Sequence, residues 1–221
     1  MSRARVGWFF AVAVSAVVWS AQALVGHAVR LENQPIVMMI RSGEAVPEKR
    51  ALAASIADYE SALKWAPCNI ALHAELSLLL AQDADAAMAL PDAKQGDSAL
   101  EAMQKMLVSR LACTPRDGKA WLDVAMVDVF REGATPRALS AYRMSALAAP
   151  GESWLAKKRL EFALGFLPIL TARELAVARA DLSVLERAHP NNMIAIQTAA
   201  QVENKPALYA IFGATVPVDE P

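Results

Sequence analysis

Residues 59–67 read YESALKWAP, and residues 142–150 read YRMSALAAP. Each segment has a tyrosine eight residues before a proline, with Ser-Ala-Leu between the two. The segments LACTP at 111–115 and ERAHP at 186–190 end in the same way. Because proline lacks a backbone N–H and clashes with the preceding turn, it cannot continue a helix. The four prolines therefore mark the ends of four helices, at spacings of 48, 35 and 40 residues, and indicate an internal repeat.

The most regular unit runs from Gly118 to Pro150. It has a large residue early in a first helix, a small residue four positions later, a turn, a second helix with alanine and tyrosine, and a closing proline. These positions are held by Trp121, Ala125, Gly133, Ala138, Tyr142 and Pro150. The order resembles the tetratricopeptide repeat, a 34-residue helix–turn–helix unit. The resemblance implies stacked helix pairs, because each pair has an apolar face that it cannot bury alone.

The other units depart from this pattern. About fourteen extra residues fall at 83–97, measured against the 34-residue repeat, and Leu160 stands where a small residue is expected. We predict an all-α fold, with an N-terminal transmembrane helix followed by a tetratricopeptide-like α-solenoid of three to four degenerate repeats over 47–212. An irregular alanine-rich helical bundle is the alternative.

Composition agrees with a helical chain and excludes some partners. Hydrophobic residues make up 55% of the 221 residues, and only 9 are glycine, which favours helix. The net charge is −1, whereas nucleic-acid-binding proteins usually carry a basic stripe. We therefore expect no nucleic-acid partner. The one dense basic run, 157–159, is interpreted as a solvated helix face.

Local signals place the helix boundaries. The starts are of three kinds: N-cap residues, capping boxes and a proline at the first helical position. The N-cap residues are Asn69, Thr135 and Asn191. The capping boxes are Ser98–Glu101 and Thr171–Glu174, and the proline is Pro47. The predicted helices are 6–29, 47–65, 70–82, 98–112, 118–131, 136–148, 153–164, 172–188, 192–203 and 205–212.

The segment 6–29 contains no Asp, Glu, Lys or Arg. Twenty-four helical residues span about 36 Å, more than a bilayer core of about 30 Å. Since Arg3 and Arg5 precede this segment, residues 1–5 are predicted to form a cytoplasmic tail, with the rest of the chain in the periplasm. The chain is thus predicted to be a single-pass protein of a bacterial inner membrane.

The remaining boundaries follow from this anchor. Residues 30–46 are expected to be a linker, and 213–221 a flexible tail. Ala21-Gln22-Ala23 also fits a signal-peptidase site, so cleavage after Ala23 remains an alternative. The apolar run is longer than the usual core of a signal peptide, which favours an uncleaved anchor.

The two cysteines occupy matching places in the repeat. Cys68 follows Pro67, and Cys113 precedes Pro115 by two residues. The repeat resemblance places both at turns between units, and neighbouring turns in a solenoid come within the range of a disulfide. The resemblance thus implies a Cys68–Cys113 bond in an oxidising compartment. Two buried thiols are the alternative.

No constellation for catalysis is found. The three histidines stand apart, and neither a metal motif nor a nucleophile motif occurs. We expect no enzyme activity, metal, cofactor or small-molecule substrate. The repeat resemblance implies a concave partner-binding groove, lined by Lys119, Leu122, Met126 and Val129. Burial of these residues under neighbouring helices or the C-terminal tail is the alternative. The apolar turn 165–170 is a second candidate contact surface.

These observations predict a membrane-anchored periplasmic scaffold or adaptor that mediates protein–protein interaction in an envelope complex. The alternative function is a small non-catalytic accessory subunit of a membrane enzyme or of a transport or secretion complex. In that case the transmembrane helix itself would pack on partner helices, through a face of small residues. These residues are Gly7, Ala11, Ser15 and Ala16.

Overall fold

The computed structural model describes residues 3–43, 45–91 and 93–188. All regular elements within these ranges are helical, which confirms the predicted all-α class. They are α1 (Arg3–Ser42), α2 (Lys49–Trp65), α3 (Ile70–Met88), α4 (Ala93–Cys113), α5 (Gly118–Glu132), α6 (Pro136–Ala148), α7 (Ser153–Gly165), a 3₁₀ turn (Leu167–Ile169) and α8 (Ala172–Ala188). The predictions for Asn191, 192–203, 205–212 and 213–221 lie outside the described residues.

The chain divides into two compact units, residues 1–114 and 115–221. In the first unit, α1 packs against α2 and α3, and α3 also packs against α2 and α4. In the second unit, α5 pairs with α6 and α7 pairs with α8, while α5 contacts α7 and α6 contacts α8. The described part of each unit thus consists of four consecutive helices that pack on one another.

Helix α1 is much longer than predicted. It runs for 40 residues and ends at Ser42, so the expectation of a linker over 30–46 is wrong. The helix continues because Asn33 and Val37, only 4% and 3% exposed, are buried in the first unit. The Asn33 side chain donates to the Asp58 carboxylate at 3.4 Å. Within the described residues, α1 is the one helix long and apolar enough to cross a membrane.

The residues 83–97 are not an inserted loop. They extend α3 to Met88 and begin α4 at Ala93, which leaves a short connection between two long helices. The predicted capping box at Ser98 is therefore wrong, because Ser98 lies inside α4. Pro47 is also not the first helical residue, since the N-cap of α2 is Glu48.

Other start signals act as predicted. The Asn69 carboxamide oxygen accepts from the N–H groups of Ala71 and Leu72 at 3.1 and 3.2 Å. The Thr135 hydroxyl accepts from the Ala138 N–H at 3.2 Å. Before α8, the Thr171 N–H donates to the Glu174 carboxylate at 3.0 Å, as in a capping box. The bounds of α6 and α8 match the prediction because these side chains satisfy the free donors of the first turn.

Three helices begin at the same distance from a repeat proline. Helices α3, α5 and α7 start three residues after Pro67, Pro115 and Pro150. The ring nitrogen Nε2 of His73 lies 2.7 Å from the carbonyl oxygen of Pro67. The indole N–H of Trp121 donates to the Pro115 carbonyl at 2.9 Å. A ring N–H six residues after the proline thus satisfies the proline carbonyl in two of the three turns.

Candidate interaction site

The first unit has an open groove of about 470 Å³, lined by residues of α2, α3 and α4. Its floor is formed by side chains that are buried or nearly buried. They include Leu63, His73, Leu76 and Met106. The rim carries charged groups: Glu60 on α2, and Glu101 and Lys105 on α4. An apolar floor with a few polar rim groups is typical of a binding cleft.

The rim on α4 carries an exposed ion pair. Glu101 and Lys105 form an ion pair at 2.7 Å, and their side chains are 51% and 75% exposed. Such an exposed pair contributes only a few tenths of a kcal/mol to a helix.

His73 lies at the floor of the groove and is 2% exposed. A carbonyl oxygen only accepts, so the contact with Pro67 fixes the hydrogen on Nε2. The other ring nitrogen, Nδ1, is buried and has no hydrogen-bond partner among the residues that the structure describes. This arrangement explains why histidine and tryptophan hold matching positions in two repeats, since both present a ring N–H to a proline carbonyl.

A second polar centre joins α1, α2 and α3 around Glu75, which is 6% exposed. Arg30 donates to both carboxylate oxygens, at 3.0 and 2.9 Å. The Tyr59 hydroxyl donates at 2.7 Å, and Arg41 lies 3.7 Å away. Burial alone would raise the pKa of Glu75, but the hydrogen bonds from Arg30 and Tyr59 outweigh it and hold that pKa below its usual value. The cluster fastens the C-terminal half of α1 to the first unit.

A smaller cavity of about 180 Å³ lies beside this centre. Most of its lining comes from one face of α1, including His27, Gln34 and Arg41. The two arginines at Glu75 leave an excess of one positive charge here. The face of α1 just beyond the apolar segment is therefore basic.

A disulfide joins Cys68 and Cys113, whose Cα atoms are 5.3 Å apart. It connects the α2–α3 turn to the C-terminal end of α4. The two cysteines are 45 residues apart in sequence, so the bond closes a loop that contains all of α3 and most of α4.

The four residues of the predicted groove on α5 do not form one open face. Leu122 and Val129 are only 3% and 8% exposed, whereas Met126 is 41% exposed. Lys119 is exposed and pairs with Asp123 at 2.6 Å. The second candidate surface is also partly closed, since Phe166 packs on Phe162 with ring centroids 5.0 Å apart.

The second unit holds a buried charge pair that the sequence did not reveal. Arg159 and Asp181 have side chains 0% and 3% exposed, and they are joined by hydrogen bonds of 2.5 to 3.1 Å. Arg159 also donates to the carbonyl oxygens of Ser145 and Ala149. The interpretation of 157–159 as a solvated run is thus wrong for its last residue. Along α7, Lys157 and Lys158 are exposed and Arg159 is buried. Only the position of Arg159 on a different face of the helix from the two lysines could have indicated its burial.

Within the part of the chain that the structure describes, no group of three or more His, Cys, Asp or Glu residues could hold a metal ion. The buried carboxylates among the described residues, Glu75, Asp128, Glu174 and Asp181, are each paired with an arginine. Their geometry is that of structural ion pairs. A comparison with known proteins finds no family model and no curated protein that matches the chain.

Proposed function

We propose that this protein is a membrane-anchored scaffold that presents a protein-binding helical domain at a bacterial inner membrane. One observation carries the proposal: the apolar segment and the buried residues Asn33 and Val37 belong to one helix, α1, which also contains Pro35. A helix of 40 residues is about 60 Å long, twice the thickness of a bilayer core. Its N-terminal half is available to cross the membrane, while its C-terminal half is held by Glu75 and by the burial of Val37.

We further propose that each unit consists of two degenerate tetratricopeptide-like helix pairs. The shared start of α3, α5 and α7 relative to a proline supports this. The matching contacts of His73 and Trp121 with a proline carbonyl support it as well. In this proposal the C-terminal half of α1 is the first helix of the first pair.

The proposed location is the periplasm. The two arginines before the apolar segment favour a cytoplasmic N-terminus. The Cys68–Cys113 disulfide supports an oxidising compartment for the first unit.

The partner surface is proposed to be the groove over α3, and the partner a short segment of another envelope protein. The groove volume suits a few side chains, and its floor would take apolar ones. The rim carries both signs of charge, so it suits a segment with an apolar face and mixed polar residues. The proposal involves no catalytic step and no cofactor.

The test is photocrosslinking in cells from the intact membrane protein, with the crosslinker at Ser109 on the groove. We expect one envelope protein to be captured, and A102W, which fills the groove, to abolish the capture. The matched control is A54W on the exposed surface of α2, which should leave capture unchanged. Equal capture by both variants would show that the groove is not the partner site.

Replacement of residues 6–24 by an unrelated transmembrane segment tests whether the apolar segment only tethers the domain or also binds a partner. A scaffold should keep its partner after the exchange, because the segment only tethers it. Loss of the partner, with the chain still in the membrane, would instead favour the accessory subunit. A mature chain that begins at Leu24 in the soluble fraction would contradict the anchored scaffold.

A further inference from the structure

The turn between α2 and α3 lies close to α1 at Gly26. A side-chain carbon at Gly26 would meet the Asn69 carboxamide nitrogen at 2.7 Å and the Leu72 side chain at 3.6 Å. Glycine at this point lets the Asn69 side chain of the turn lie directly against α1. The contact fixes the height of the α2–α3 turn along the axis of α1.

That height corresponds to the edge of the bilayer core. The apolar segment 6–29 is centred between residues 17 and 18, and Gly26 lies eight to nine residues beyond this centre. At about 1.5 Å per residue the distance is about 13 Å, against about 15 Å for half of the hydrocarbon thickness. A spanning α1 thus brings the turn to the boundary between acyl chains and headgroups.

The turn is flanked by side chains suited to that boundary. Trp65, at the end of α2, is 69% exposed, and Ile70, at the start of α3, is 57% exposed. Lys64 is exposed as well. Tryptophan is enriched at membrane interfaces because its ring is apolar while its N–H can remain hydrated. A lysine beside it can reach lipid phosphates.

We propose that the α2–α3 turn, residues 64–70, is a second membrane contact that docks on the phospholipid headgroup layer. Trp65 and Ile70 enter the edge of the acyl region, and Lys64 faces the phosphates. Because the turn contacts α1 at Gly26, which lies at the edge of the bilayer core when α1 spans it, the partner of the turn is a lipid surface and not a protein. This inference rests on the proposed membrane span. The disulfide at Cys68 holds the same turn to α4, so the contact would orient the first unit on the membrane.

The test uses the full-length protein in phospholipid vesicles whose acyl chains carry bromine, which quenches tryptophan on contact. One lipid is brominated near the carbonyl group and another near the end of the chain. The difference between wild type and W65F isolates Trp65, and the difference between wild type and W19F isolates Trp19. Both residues are exposed, at 69% and 78%, so the phenylalanine variants should fold.

We expect opposite depth profiles. Trp19 lies near the centre of the apolar segment and should be quenched most by bromine at the chain end. Trp65 should lose most of its signal to the shallow bromine and little to the deep one. Deep quenching of Trp19 without quenching of Trp65 would overturn the docked turn but keep the membrane span. The absence of quenching at both positions would overturn the span and the docked turn together.

Discussion

The two tyrosines that mark the repeat are both fully buried, but their hydroxyl groups have different surroundings. Tyr59 donates to Glu75, eight residues after Pro67. The position eight residues after Pro150 is Lys158, which is exposed. Tyr142 accordingly has a buried hydroxyl with no hydrogen-bond partner in the described part of the chain, and its ring stacks on Phe162 at 5.2 Å. The repeat preserves the tyrosine ring as a packing element, whereas its hydrogen bond depends on the next helix.

Two charge pairs, one in each unit, are buried to different degrees. In the first unit Glu75 takes its arginine from α1, and the Arg30 side chain is 44% exposed. In the second unit both Arg159 and Asp181 are fully enclosed. The first unit adds a disulfide, and both cysteines of the chain belong to it. One unit thus contains a disulfide and the long apolar helix α1, and the other contains a fully buried ion pair.

The largest effect is expected for R159M. It would leave the Asp181 carboxylate buried without its partner, which typically costs about 3–5 kcal/mol. Hydrogen exchange by mass spectrometry should show faster exchange in α7 and α8, with the first unit unchanged. The matched variant is R30M, which should cost less because Arg30 is half exposed. Equal losses in the two variants would contradict the contrast between the pairs.

The next largest effect is expected for loss of the disulfide. The variant C68S/C113S should destabilise the first unit by about 2–4 kcal/mol, mainly because the unfolded chain gains freedom. Helices α3 and α4 should then exchange faster, while α5 to α8 keep their rates. Unchanged exchange in α3 and α4 would show that the bond adds nothing to the folded unit.

A smaller loss of stability is expected for Y59F, and Y142F is the variant to compare with it. Y59F removes a hydrogen bond to a buried carboxylate, a contribution of about 1.5–3 kcal/mol. Y142F removes a buried hydroxyl that has no partner within residues 3–188 as described, so it should be neutral or slightly stabilising. Urea unfolding in detergent, followed by unit-resolved exchange, measures both variants. A larger loss in Y142F would show that its hydroxyl is satisfied in solution.

The smallest effect is expected from pH. Because the pKa of Glu75 is lower in the folded state than in the unfolded chain, its contribution is fully present above the unfolded value of about 4.3. It is lost as the pH falls through the folded pKa. Exchange in α3, corrected for the intrinsic pH dependence of exchange, should therefore accelerate on acidification. E75Q should flatten this response, and a response of the same size in E75Q would assign it to another group.

The sequence predicted most of the helix boundaries, because the signals that set them are local. Asn69, Thr135 and Thr171 bond to backbone donors within three residues, so their effect can be inferred from spacing. Gly133 lies in a left-handed turn with φ of +76°, as its place between α5 and α6 indicated. Features of this kind need no knowledge of the tertiary fold.

The candidate site was less predictable, because it depends on contacts between distant residues. The continuation of α1 past residue 29 depends on burial of Asn33 and Val37 against helices that follow later in the chain. The partner of Arg159 lies 22 residues away in the sequence. The basic run 157–159 does not indicate that its arginine pairs with a distant carboxylate. Leu122 and Val129 on α5 are covered, whereas α2, α3 and α4 leave a groove open, because exposure depends on which helices cover a face.

In the proposed membrane-anchored scaffold, the continuity of α1 between its apolar segment and Gly26 has one mechanical consequence. A flexible linker would let the attached domain turn freely, but a continuous helix transmits rotation from its membrane segment to the groove. Each residue added to a helix turns everything beyond it by about 100° and lifts it by about 1.5 Å. A single residue inserted between Trp19 and Gly26 would thus point the groove of the first unit in another direction around the membrane normal. The number of residues in that stretch therefore determines the direction in which the attached domain faces around the axis of α1.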